Sequence, residues 1–126
     1  MAHIFLSQLK TVLNNCIDEL EQIHFLFSRN PETDFTRKRK LTFKEYIQFM
    51  LLMQGKTVSN EILDFFSHFL SAPSKSAFTQ QRYKLLPEGW DFLFHSFVNQ
   101  CRTLSDNLYN GYRLLACDGS DVNISH

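Results

Sequence analysis

The sequence predicts a mainly α-helical fold, about five helices followed by one or two short β-strands. Three observations predict it. Apolar residues recur every three or four positions through most of the first hundred residues, which is the period of one helix face. Capping residues and prolines stand where those periodic stretches begin. Near Tyr112 the pattern changes to a short continuous apolar run closed by Asp-Gly, the form of a buried strand running into a turn.

Leu6, Leu9, Leu13, Cys16, Leu20 and Ile23 lie in one stripe of an amphipathic helix from about His3 to Phe25. So short a stripe points to packing within the chain more readily than to a seam for a partner. Arg29 to Lys40 holds Pro31, several polar residues and the run Arg37-Lys38-Arg39-Lys40, and reads as an exposed linker.

Leu41-Thr42-Phe43-Lys44-Glu45-Tyr46 opens a second helix. Thr42 and Glu45 are spaced as a capping box, and Leu41 and Tyr46 as a hydrophobic staple. Tyr46, Ile47, Phe49, Met50 and Met53 make this helix apolar around much of its girth, so it belongs at the centre, and Gly55 is its stop signal. A third helix is expected from about Ser59 to Leu70, burying Ile62, Leu63, Phe65, Phe66, Phe69 and Leu70, with Pro73 closing the connection.

Ser74 can cap a fourth helix, Lys75 to Leu85, whose Phe78 and Leu85 face inward while most of its surface is polar. Pro87 and Glu88 suit the first turn of a fifth, in which Trp90, Leu93, Phe94, Phe97, Val98 and Cys101 keep helical spacing to about Leu104. The strand is Arg113 to Asp118, and Val122-Asn123-Ile124 alternates as a second strand would. The expected division is a helical region over 1–104 and a different, strand-opening segment over 105–126.

A chain of 126 residues suffices for one main domain, since domains usually run to ~100–150 residues. With 44% hydrophobic and 21% charged residues it is too apolar to be disordered, and its 13 Phe supply bulky contacts for a small helical core. No stretch approaches the ~18 apolar residues of a membrane helix, and nothing marks secretion. Cys16, Cys101 and Cys117 are odd in number and far apart, which argues against a disulfide framework or a CxxC metal site. A reducing cytoplasm is expected. The five His residues show no ligand spacing, and His68 and His95 among phenylalanines suit a core or boundary role.

The net charge of zero conceals a pattern: residues 29 to 84 carry ten Lys or Arg against five Asp or Glu, and both flanks are net acidic. A local positive field of this kind attracts phosphate, or else it is a solvated polar face. The helices joined through Ser71-Ala72-Pro73-Ser74 have helix-turn-helix spacing. The second of them offers Lys75, Ser76, Thr79, Gln80, Arg82, Tyr83 and Lys84 outward. In that geometry Gln80 and Arg82 are candidates for base edges, while Lys75, Lys84 and the cluster Arg37, Lys38, Arg39 and Lys40 would hold the DNA backbone. Asp118 has two readings of its own. Asp-Gly is a common hairpin pair, and a strand that ends in a carboxylate is also how two-metal phosphoryl transfer positions ions ~3.5–4 Å apart.

Lys75-Ser76-Ala77-Phe78-Thr79-Gln80-Gln81-Arg82-Tyr83-Lys84-Leu85, followed some thirty residues on by Tyr112-Arg113-Leu114-Leu115-Ala116-Cys117-Asp118-Gly119-Ser120, resembles the opening of insertion-sequence family four transposases, a DDE family. The likeness spans roughly residues 41 to 125. It implies a helical region that binds double-stranded DNA at the element's terminal inverted repeats, then an RNase H-like α/β domain. It also implies that Asp118 is the first catalytic and metal-binding Asp, with Asp121 its local rival, and that Mg2+ or Mn2+ serves the intact protein, which is a possible homodimer. The second Asp and the Glu of that triad are not in this sequence, so the expectation is a fragment that binds DNA, holds no stable metal and is inactive by itself. Two other readings stay open: a small helix-turn-helix regulator, which has no need of Asp118, and a helical protein-interaction module.

Overall fold

The computed structural model describes residues 2–37, 40–67, 72–104, 110–112 and 119. Among them are five α-helices: α1 (Ala2–Gln22), α2 (Phe43–Leu52), α3 (Val58–Phe65), α4 (Lys75–Arg82) and α5 (Pro87–Thr103). The mainly helical reading holds for these residues, which contain no β-strand longer than an isolated bridge. The expected strands, over 113–118 and 122–124, lie outside the described residues.

α1 packs along α5 and against α2, and the core forms where they meet. Cys16, Ile17 and Leu20 of α1, Phe43, Tyr46, Ile47 and Phe49 of α2, Ile62 of α3, Phe78 of α4 and Leu93 of α5 are all buried there. Aromatic rings close it. Phe49 meets Phe78 edge to face at 4.9 Å and Phe65 at 5.2 Å, within the range where such pairs add to plain apolar burial.

The start of α2 follows its local code. Thr42 accepts the Glu45 backbone N–H at 3.2 Å, Glu45 accepts the Thr42 N–H at 2.9 Å, and Leu41 and Tyr46 are both buried. The helix stops at Leu52, before Gly55, whose φ of +81° makes the left-handed turn toward α3. The buried carboxylate of Glu61 fixes that turn, its Oε1 accepting the backbone N–H groups of Gln54 at 2.7 Å and Lys56 at 2.8 Å.

Three helices end earlier than their periodicity suggests. α3, expected to reach Leu70, ends at Phe65, and Ser67 follows with a φ of +49°, so nine residues lead to α4 where a four-residue turn is expected. α1 and α4 are shortened for one shared reason. α1 stops at Gln22 and the chain tightens into a 3-10 helix over His24–Phe27, because Ser28 must reach an antiparallel bridge with Leu85. That bridge also ends α4 at Arg82. The Arg29 N–H donates to the Lys84 carbonyl at 2.9 Å, and the Leu86 N–H donates to the Phe27 carbonyl at 2.7 Å. The junction is tight: a Cβ placed on buried Gly89 would come within 2.9 Å of Leu85 Cδ1 and 3.2 Å of Phe27 Cβ, so a side chain there would require both neighbours to shift. Tertiary pairing has overridden apolar spacing at both ends.

Some expected inward residues face out. Leu63 is 41% exposed and Phe94 62%, whereas Phe69 and Leu70 lie outside the described residues. His95 is on the surface, its Nε2 lying 3.3 Å from Asp91 Oδ1. His68 is outside the described residues. No described helix is long and apolar enough to cross a membrane.

Candidate nucleic-acid interface

α4 is held by its two ends. Ser74 caps it by accepting the Ala77 N–H at 3.1 Å, and the Ser28–Leu85 bridge anchors the chain that follows it. Phe78 and Gln81 are buried, which fixes the rotation of the helix about its axis and leaves Lys75, Ser76, Thr79, Gln80, Arg82 and Tyr83 exposed, with Lys84 half-buried.

The 30–41 segment is partly structured, where an exposed linker is expected. Asp34 is buried, and its Oδ2 accepts the Asn30 N–H at 2.9 Å while its own N–H donates to the Asn30 carbonyl at 2.8 Å. Phe35 follows with a φ of +59°, a left-handed conformation unusual for a bulky residue. Its ring sits 5.8 Å from that of His24 and 5.0 Å from that of Phe43.

This arrangement lays the basic segment beside α4. Arg37, Lys40 and Leu41 line a groove of about 430 Å³ together with Pro73, Ser74, Ala77, Gln80, Gln81 and Lys84. Among the described residues no acidic side chain lines it. Two features that are separate in the sequence, the basic run and the polar helix, thus meet at one concave surface. Lys38 and Arg39 of the same run lie outside the described residues.

The remaining candidates divide around α4. A step of two residues turns an α-helix by about 160° measured the short way, so Gln80 is on the groove flank and Arg82 on the opposite one with Lys75. The charge of Arg82 acts on Tyr46 beneath it. Ser76 and Tyr83 project farthest from the core, whereas Thr79 donates its hydroxyl back to the Lys75 carbonyl at 2.9 Å. The groove takes in part of the proposed recognition surface and leaves Lys75 and Arg82 outside it.

Sequence reasoning missed Phe35, Gln81, His24 and Arg29, which build the groove or brace it. Phe35 carried a signal, being the one large apolar residue between Pro31 and Leu41. Arg29 carried none. Its Nε donates to the Tyr83 carbonyl, a contact that depends wholly on the fold.

Asp118, the residue that the resemblance would make a metal ligand, lies outside the described residues, as does Asp121. Among the described residues no three His, Cys, Asp or Glu side chains are grouped as metal ligands. No protein-family model, curated protein or solved structure matches the chain.

Proposed function

We propose that this chain is the DNA-binding region of an insertion-sequence DDE transposase, which engages the element's terminal inverted repeats through α4 and the basic segment before it. α4 serves as the recognition helix in this reading, while nine residues separate it from the end of α3 at Phe65, more than the three or four of a helix-turn-helix turn. The observation that carries it is the meeting of Arg37, Lys40 and Lys84 at one groove with no carboxylate among the described residues that line it. Cations spaced along a concave surface match successive phosphates, and the release of condensed counterions then drives binding. Gln80 on the same flank supplies a side chain of the type that reads a base edge. In the intact protein Asp118, at the end of an RNase H-like strand, would help to hold Mg2+ or Mn2+ for strand cleavage and transfer.

The test is fluorescence anisotropy against a labelled inverted-repeat duplex over a series of salt concentrations. Removing Arg37, Lys40 and Lys84 together should flatten the slope of log affinity against log salt by about two to three. An unchanged slope with unchanged affinity would refute the DNA-binding reading. The regulator alternative shares this surface, and only the sequence downstream of Asp118 separates the two.

One observation favours the interaction-module reading. Leu51 and Leu52 are 47% and 63% exposed, beside an apolar groove between α1 and α2 that Leu13 and Ile17 also line. Of the α1 stripe, Cys16 and Leu20 are committed to the core, whereas Leu6 is 53% exposed. Sedimentation that shows a monomer at high concentration, together with DNA binding, would set this alternative aside.

A further inference from the structure

The cationic groove does not end at α4. A second pocket of about 220 Å³ adjoins it, and the two share Arg37, Leu41 and Gln81 as common walls. The inner pocket differs in chemistry. Glu21 lines it together with the aromatic side chains of His24, Phe35 and Phe43. The His24 ring lies 5.7 Å from that of Phe43 and is tilted by 34°.

Two residues of this inner wall each carry a buried polar atom that is unsatisfied among the described residues. Gln81 is only 7% exposed, yet its Oε1 has no hydrogen-bond partner, and neither has the buried Nδ1 of His24. Burying an amide oxygen without a donor is costly, and native structures seldom leave one so without a reason. The terminal torsion of a Gln side chain is broad, so the amide can turn toward a ligand with little resistance.

A single ligand fits both halves when it is anionic at one end and flat, ring-shaped and rich in N–H donors at the other. We propose that this paired cleft binds an adenine nucleotide. The phosphate meets Arg37, Lys40 and Lys84, while the base lies against the outer faces of the ring cluster and gives its amino hydrogens to Gln81 and Glu21. The Gln amide is matched to adenine in particular, since it can accept from the amino group and donate to the adjacent ring nitrogen. The ligand is either a free nucleotide or an unpaired adenine nucleotide of a DNA strand. Only the second source rests on the DNA-binding reading above.

Calorimetric titration with deoxyadenosine 5′-monophosphate and with its analogue lacking the amino group, purine deoxyriboside 5′-monophosphate, tests the site. The protein should prefer the amino-bearing nucleotide by about tenfold, and Gln81→Met should remove that preference. Arg37→Ala, at an exposed position, should weaken both nucleotides alike, and it tests the cleft even if the Gln81 variant does not fold. Equal affinity for the two nucleotides, a preference that survives in Gln81→Met, or no effect of Arg37→Ala would each overturn the proposal.

Anisotropy with a blunt duplex and with the same duplex carrying one unpaired 3′ deoxyadenosine identifies the source. A gain from the overhang that Gln81→Met abolishes assigns the site to a DNA strand, whereas a preference among free nucleotides with no such gain assigns it to a free nucleotide. Blunt-duplex binding without any adenine preference sinks the cleft and leaves the DNA reading standing. Adenine-selective nucleotide binding without duplex binding does the reverse.

Discussion

The ammonium of Lys84 stands 5.9 Å from the centroid of the Phe35 ring, which ties the end of α4 to the segment that carries the basic run. Phe35 holds that place with a φ of +59°. Such a conformation costs roughly 1–3 kcal/mol for a residue with a side chain. Contacts with His24, Phe43 and Tyr46 offset it. The ring is a peg that sets the distance between the two walls of the groove.

Phe35→Ala should therefore lower stability by about 2 kcal/mol, less than a fully buried Phe because the ring is only half-buried. The unstrained part of the fold should remain. DNA affinity should drop as well, although Phe35 carries no charge, because Arg37 and Lys40 lose their fixed position across from Lys84. Urea denaturation and anisotropy on the same preparation separate the two effects. Unaltered DNA affinity in a destabilised variant would show that the peg does not organise the groove.

Local signals in the sequence carried the helices well. The Thr42–Glu45 capping box, Ser74 as a cap and Pro87 in the first turn of α5 act within one turn of chain, so their geometry is set by near neighbours. What was not legible depends on distant pairing. The Ser28–Leu85 bridge shortens α1 and α4 at once, and no periodicity in either helix encodes the other's position. The candidate interface divides in the same way. The basic run and the polar helix could each be read alone, but their meeting required a left-handed Phe35 and a buried Asp34 in a stretch that looks like plain linker. Arg82 shows a further limit, because a list of polar residues says nothing of flank until Phe78 and Gln81 fix which way the helix is turned.

Tyr46 provides a prediction about alkaline conditions. Its side chain is buried, and burial pushes the phenol up to about 12 from its ordinary 10.0, with the Arg82 charge acting weakly the other way. A raised acid favours the neutral form in the folded chain. Its contribution is thus fully present below pH 10 and is lost between pH 10 and about 12, as the unfolded chain ionises and the folded one does not. The loss is roughly 2 kcal/mol across that window. Lys56 is also raised from its ordinary value by its hydrogen bond to Asp64, so the comparison must be made by difference. Tyr46→Phe should show a shallower fall in stability above pH 10 than the parent protein. At neutral pH the variant should be as stable or up to about 1 kcal/mol more so, because the hydroxyl has no partner among the described residues. A large loss at pH 7 would mean instead that the phenol makes a hydrogen bond in the folded chain.

The two flanks of α4 yield the sharpest division of the proposed DNA contacts. Gln80 and Lys84 border the groove, whereas Lys75 and Arg82 lie on the other side of the helix, about 160° away in the case of Gln80 and Arg82. One helix face enters a major groove at a time, so both side chains cannot read neighbouring base edges in a single docked pose. Gln80 has the cationic groove beside it, and phosphates held there would bring a base edge to its amide. Gln80→Ala should accordingly relax discrimination at one base pair by roughly 1–3 kcal/mol and change nonspecific binding little. Arg82→Ala should weaken binding to every sequence by a similar small factor and lower the salt slope by about one. Binding selections from a randomised duplex library, run in parallel on the two variants, read out both effects. If Arg82→Ala proves to be the variant that loses a base preference while Gln80→Ala keeps it, the DNA lies against the opposite flank. The grouping of Arg37, Lys40 and Lys84 would then have no part in recognition.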